Sequence, residues 1–222
     1  MMNSRSYPSP LGVRPVITVS KNLVSVAPYS LGQKVKVGEE TFFVITENDT
    51  INNDTITLIS KYNLDPSSNT QLNGHSGQTK MAFCPGEGVD NSYWRNISEI
   101  TYPYELNGVE SPNATVYNKA VAYGDAKGGT GRLLTYDEAN KLIENSKTQK
   151  IICGQYSKGA VVSDGYLNYW LGTTGPTIDG RYMVWTVQGQ YSGYLNYSSY
   201  WEDGSFGVRP VITINKSLVT AY

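Results

Sequence analysis

The chain of 222 residues carries one histidine, His75, and two cysteines, Cys84 and Cys153. A structural zinc takes about four such ligands. This chain offers three at most and has no Cys-x-x-Cys, so structural zinc is excluded. For the cysteines, spacing leaves open one disulfide, two buried thiols or a redox pair, because a bridge needs Cα atoms closer than about 7 Å. A Ser/His/Asp triad would have to use His75, in the polar stretch Asn73-Gly74-His75-Ser76-Gly77, and there is no Gly-x-Ser-x-Gly elbow. Glu39-Glu40 and Glu202-Asp203 are adjacent pairs, so on a strand their carboxylates face opposite ways. Gly124-Asp125-Ala126-Lys127-Gly128-Gly129-Thr130-Gly131 is glycine-rich. No strand feeds it and no Gly-Lys-Ser/Thr closes it, as a phosphate cradle requires. The sequence therefore predicts a protein that is not an enzyme, with no catalytic residue, no metal and no cofactor.

What the residues do offer is contact chemistry. There are 18 Tyr against 4 Phe, with 22 Gly and an excess of Asn, Ser and Thr. Tyrosine buries a ring, keeps a wet hydroxyl and loses little rotamer entropy, and such mixtures build adaptable binding surfaces. Residues 156–206 hold eight Tyr, three of the four Trp and two basic residues, Lys158 and Arg181. A core packed with eight tyrosines would need partners for eight hydroxyls. Tyr166, Tyr182, Tyr191, Tyr194, Tyr197 and Tyr200 are therefore expected at the surface. Trp170 and Trp185, beside Leu171 and Val184, are expected in the core.

Charge narrows the partners. With 18 Lys+Arg against 19 Asp+Glu the net charge is -1, so no basic surplus exists to neutralise phosphates and no nucleic acid is expected. No apolar run approaches the roughly 18 residues of a membrane span. Residues 1–26 lack a signal-peptide core. The chain is expected to be soluble, with no direct membrane insertion.

Two repeats organise the elements that must position these residues. Gly12-Val13-Arg14-Pro15-Val16-Ile17-Thr18-Val19-Ser20-Lys21-Asn22-Leu23-Val24 recurs at residues 207–219, identical at ten of thirteen positions. Each copy reads as a β-branched strand entered through Pro. Residues 1–28 are therefore read as the tail strand of a preceding repeat or an N-terminal extension, and residues 29–222 as one domain. Arg14 and Arg209, placed before Pro, are expected to hold backbone carbonyls or a carboxylate of the fold. A second duplication relates residues 154–169 to 189–197, rich in Gly and aromatics, which suits hairpins and coiled loops.

The regular elements are fewer. From Lys34 the chain alternates through Val35 and Val37, turns at Gly38-Glu39-Glu40, runs through Phe42 to Ile45 and resumes from Thr55 to Ser60, a β-meander. One firm helix is predicted from Tyr136 to about Ser146. Thr135 is its N-cap, Glu138 completes a capping box, and Ala139, Leu142 and Ile143 form the apolar stripe. A shorter helix is expected around Tyr117 to Tyr123, with residues 128–131 as a loop. The fold class is α+β, with small antiparallel sheets and much irregular chain.

Arg132-Leu133-Leu134-Thr135, then Tyr169-Trp170-Leu171-Gly172, then Gly207-Val208-Arg209-Pro210-Val211 resembles, in that order, the pattern of bacterial C-type-lectin-fold domains. These are formylglycine-generating-enzyme-like domains of the variable proteins of diversity-generating retroelements, and of related surface repeats of Firmicutes and phages. The resemblance spans residues 31–219. It implies a C-type-lectin-like fold in which the Trp-Gly and Gly-Val-Arg-Pro-Val pieces hold a scaffold and residues between them contact ligand. It also implies a bacterial cell-surface, secreted or phage-virion location. Neither Glu-Pro-Asn nor Trp-Asn-Asp occurs, so calcium-dependent sugar binding is not implied, and the two cysteines do not match the enzyme's reactive pair.

The expected ligand-binding face is Tyr182, Tyr191, Tyr194, Asn196, Tyr197, Ser199, Tyr200, Glu202 and Asp203. Its rings would supply buried area and its charges orientation. A protein or glycan is the expected partner. The alternative is an architectural tandem repeat whose tyrosine face packs against a neighbouring copy of the module.

Overall fold

The computed structural model describes residues 29–46, 54–65, 67–72, 115–153, 168–178, 181–189, 194–199 and 206–222. Residues 1–28, with the first Gly-Val-Arg-Pro-Val copy, His75 and Cys84 lie outside the described residues.

The meander forms where alternation predicts it, as β1 (Lys34–Val37), β2 (Glu40–Val44) and β3 (Thr55–Ser60). Val37 pairs with Glu40, so Glu40 belongs to the strand and the turn is Gly38-Glu39, with Gly38 at φ 58°. That left-handed conformation suits glycine. Val35, Val37, Phe42, Val44, Ile56 and Leu58 bury one face of this sheet in the main core. Phe43, Ile45 and Ile59 bury the other against a second cluster, as period-2 alternation requires.

The C-terminal repeat completes the sheet from both sides. Past Pro210, β8 (Val211–Asn215) pairs with β3, and β9 (Val219–Ala221) pairs with β1. The order is β4-β8-β3-β2-β1-β9, where β4 is Thr130–Arg132. Only a single 3-10 turn, Lys216–Leu218, joins β8 to β9. Four chain steps from Asn215 to Val219 reach at most roughly 14 Å, whereas a flat sheet with three strands between them would need about 19 Å. The sheet must therefore curl strongly, and the main core fills its concave side.

Two helices pack on this frame. The first, α1 (Thr115–Ala126), is longer than the sequence suggests and buries Val116, Ala120 and Tyr123. The glycine-rich stretch is not simply a loop, because Thr130–Arg132 is the edge strand β4, paired with β8. Two of its glycines, Gly124 and Gly131, serve contact between α1 and β4. A Cβ on Gly131 would overlap the carbonyl oxygen of Ala120, and one on Gly124 would overlap the Gly131 backbone.

The predicted capped helix is α2 (Tyr136–Glu144), with Thr135 accepting from the Glu138 N–H and Glu138 reaching back to the N-cap backbone. It ends at Glu144, slightly short of Ser146. Leu142 and Ala139 are buried and Ile143 half-buried. A further turn of helix, α3 (Gln149–Ile152), carries no strong sequence signal and buries Ile151 and Ile152.

A second antiparallel sheet, β5 (Asn168–Ile178), β6 (Arg181–Gln188) and β7 (Tyr194–Ser199), forms from the Gly/Tyr-rich region. Residue 207 ties it to the first: the Gly207 N–H donates to Asn168 O at 2.9 Å, and the Trp170 N–H to Gly207 O at 3.1 Å. Mixed helices and antiparallel sheets make the fold α+β.

Candidate functional site

Cross-strand register decides which rings can meet. In β6 and β7, Met183 faces Ser199, Trp185 faces Tyr197, and Val187 faces Leu195. Val187 is buried in the second core cluster, and Trp185 and Leu195 pack partly against it. This is the face that α2 covers. Thr186 and Val184, on the alternate face of β6, are also buried. The sheet is thus covered on both sides at β6, and its α2 side closes incompletely.

Where closure is incomplete, an aromatic patch stands. The Trp185 ring lies 4.4 Å from that of Tyr136, at the start of α2, with the planes tilted by 41°. Tyr197 meets Trp185 edge-on at 5.5 Å and 82°. All three rings are half-buried. Tyr136 is fixed by its N–H, which donates to Thr173 Oγ1 at 2.9 Å. Beside the rings, Met183 and Tyr197 flank Gly175, where a Cβ would stand 3.1 Å from Met183 Cβ and 3.2 Å from Tyr197 Cβ. Ring faces, two phenols and a thioether make a surface suited to apolar and hydrogen-bonding contact rather than bond chemistry.

Of the nine residues expected on one face, five lie among the described residues, and by strand register they divide between the two faces of the sheet, Tyr197 and Ser199 on one and Tyr182, Tyr194 and Asn196 on the other. Asn196 is exposed and Tyr197 half-buried. As strand neighbours they point to opposite sides of the sheet, so they do not share a face. Tyr182, Tyr194 and Ser199 fall in β6 and β7 by backbone register, Tyr194 opposite Gln188. Tyr191, Tyr200, Glu202 and Asp203 lie outside the described residues, as does Tyr166. Trp170 is fully buried, as expected. Trp185 is a correction: it is half-buried and belongs to the patch, because alternation turns it away from Val184. Tyr136 and Met183 were not singled out by sequence, although Met183 shares Trp185's parity.

Several polar groups among the described residues serve the fold. Arg209 is completely buried and makes the backbone contacts expected of it. Its Nε donates to Ser60 O at 2.9 Å and its Nη1 to Ile151 O at 2.8 Å and Ile152 O at 3.2 Å. The Tyr123 hydroxyl donates to Glu40 Oε2 at 3.0 Å and accepts from Gln71 Nε2 at 3.1 Å. Burial, opposed by the Gln71 contact and reinforced by the Glu40 charge, pushes that phenol far up, and Lys127 pairs with Glu40. Cys153 is buried and free, and burial raises its thiol pKa against the opposing charge of Arg209. Among the described residues, no three His, Cys, Asp or Glu side chains gather to hold a metal, and no helix is long and apolar enough to cross a membrane. Comparison with protein-family models, curated proteins and solved structures finds no match to this chain.

Proposed function

We propose that this protein is a non-enzymatic recognition module, a C-type-lectin-like scaffold that presents an aromatic surface to a protein or glycan ligand. The observation that carries the reading is the half-buried Tyr136–Trp185–Tyr197 cluster, three rings in contact at an incompletely closed edge of the core. A core would seal such rings, and a purely polar surface would not gather them. The order of the Arg-Leu-Leu-Thr helix entry, the Tyr-Trp-Leu-Gly strand and the Gly-Val-Arg-Pro-Val strand supports the lectin-like scaffold. By the same resemblance the module belongs to a variable protein of a bacterial surface or phage.

Glycan arrays and peptide arrays probed with the chain and with Trp185→Ala/Tyr197→Ala test the reading. At least one ligand class should bind and lose tenfold or more in affinity with the variant, whose circular dichroism stays native. Binding by neither protein, or equal binding by both, would refute it. A chain of two modules in tandem separates the architectural alternative: radical footprinting that finds Trp185 and Tyr197 protected by the neighbour favours that alternative.

A further inference from the structure

The fold has one site for the strand–turn–strand of residues 207–219, which enters between β3 and β4 and ends beside β1. The sequence supplies that segment twice. Residues 12–24 differ from it at three positions only: Val19 for Ile214, Ser20 for Asn215 and Asn22 for Ser217. Each difference can be judged against what its position does in the structure.

Val208, Arg209, Val211 and Ile212 are completely buried, and Val13, Arg14, Val16 and Ile17 are the same residues. The most demanding position is Arg209, whose planar fork reaches three carbonyls on two segments. A lysine would not replace it, and Arg14 brings the same fork. Asn215 and Ser217 are exposed, and Asn215 Oδ1 accepts the Ser217 N–H at 2.9 Å. Serine caps in the same way, so Ser20 suffices there. Only Val19 alters a buried side chain, by one methylene.

The path into the site is short. The offset of 195 residues between the copies puts Val26 at the position of Ala221, which faces Val35 of β1. Residues 27–34 would then join two antiparallel neighbours, a connection the chain makes readily. Within it, Tyr29 is buried against β9, its hydroxyl donating to Val219 O at 3.2 Å. Gly32 turns the chain into β1 at φ 79°.

We propose that residues 12–24 are a second occupant of this site within the same molecule. Either copy completes the sheet, and the other is released.

Disulfide trapping on the full chain tests this. Thr57 and Thr213 face each other across β3 and β8, with Oγ1 atoms 3.1 Å apart, and Thr18 is the counterpart of Thr213. Chains with Thr57→Cys/Thr213→Cys and with Thr57→Cys/Thr18→Cys are oxidised. Peptide masses then separate these linkages from any to Cys84 or Cys153. Both pairs should close within one molecule, the Thr18 pair slower by roughly tenfold or less, the weight of one buried methylene. Added to the Thr18 pair, Arg14→Ala should slow closure and Arg209→Ala should speed it, each by about fivefold or more. Should Arg209→Ala fail to fold, the Arg14→Ala comparison decides alone. A Thr18 pair that stays open, closes only between molecules, or ignores Arg14→Ala overturns the proposal.

Discussion

Tyr197 stands edge-on to Trp185, ring centroids 5.5 Å apart and planes at 82°, so one ring of β7 leans on the indole that also touches Tyr136 of α2. Replacing Tyr197 with Ala should cost about 1–2 kcal/mol, the edge-to-face contact plus part of a half-buried ring. Tyr197→Phe should cost less than half as much. Urea denaturation measures both. A loss above about 4 kcal/mol would mean a core ring.

Gly131 and Gly38 should behave differently on conversion to Ala. A Cβ at Gly131 overlaps the Ala120 carbonyl, so α1 must part from β4. The expected loss is about 3 kcal/mol or failure to fold. Gly38 has nothing within 4 Å of its would-be Cβ but sits at φ 58°. Only backbone conformation is penalised there, by about 1 kcal/mol. Thermal unfolding of the two variants should rank them in that order.

Acid should weaken the start of α2. Burial alone would raise the Glu138 carboxyl, but Arg132 hydrogen bonds at 2.7 and 2.6 Å, with the Thr135 N–H at 3.0 Å, hold it below its ordinary 4.5. A carboxyl lowered in the native state contributes stability that is complete above the unfolded pKa and lost as pH falls through the native one. Stability should drop as pH falls below about 5, and Glu138→Gln should flatten that slope. The Arg132 and Glu138 side chains are 31% and 37% exposed. Solvent screening therefore keeps this contribution at pH 7, and what acid removes, to about 1 kcal/mol or less.

Cys153 should be nearly inert in the folded protein. Its sulfur is buried and its thiolate disfavoured, and the thiolate is the reactive form. In a Cys84→Ser chain, iodoacetamide labelling of Cys153 should slow at least a hundredfold on moving from denaturant to native buffer. Equal rates in both would place Cys153 at the surface and revive a redox role.

Local signals in the sequence reported local structure faithfully. Thr135 and Glu138 announce α2 because a capping box is satisfied within four residues, and Val35, Val37 and Phe42 announce the meander because alternation needs no distant partner. Gly131 reads as loop, and Gly124 as lying past the short helix, because their purpose, contact between α1 and β4, exists only once both elements are placed. Trp185 was assigned by its chain neighbour Val184, although adjacent residues of a strand share no face. The patch joins α2 to β6 and β7, and nothing in either segment alone declares that meeting.

Strands β8 and β9 close opposite flanks of the meander, and Thr57 meets Thr213 across 156 positions. During synthesis the hairpins of β1, β2 and β3 leave the ribosome early, and the outer edges that residues 211–221 fill in this structure stay open until then unless residues 12–24 cover them. Such distant pairing slows folding, and open edges invite other nascent chains. The yield of soluble protein therefore depends on how long that half-built sheet stays apart from its neighbours.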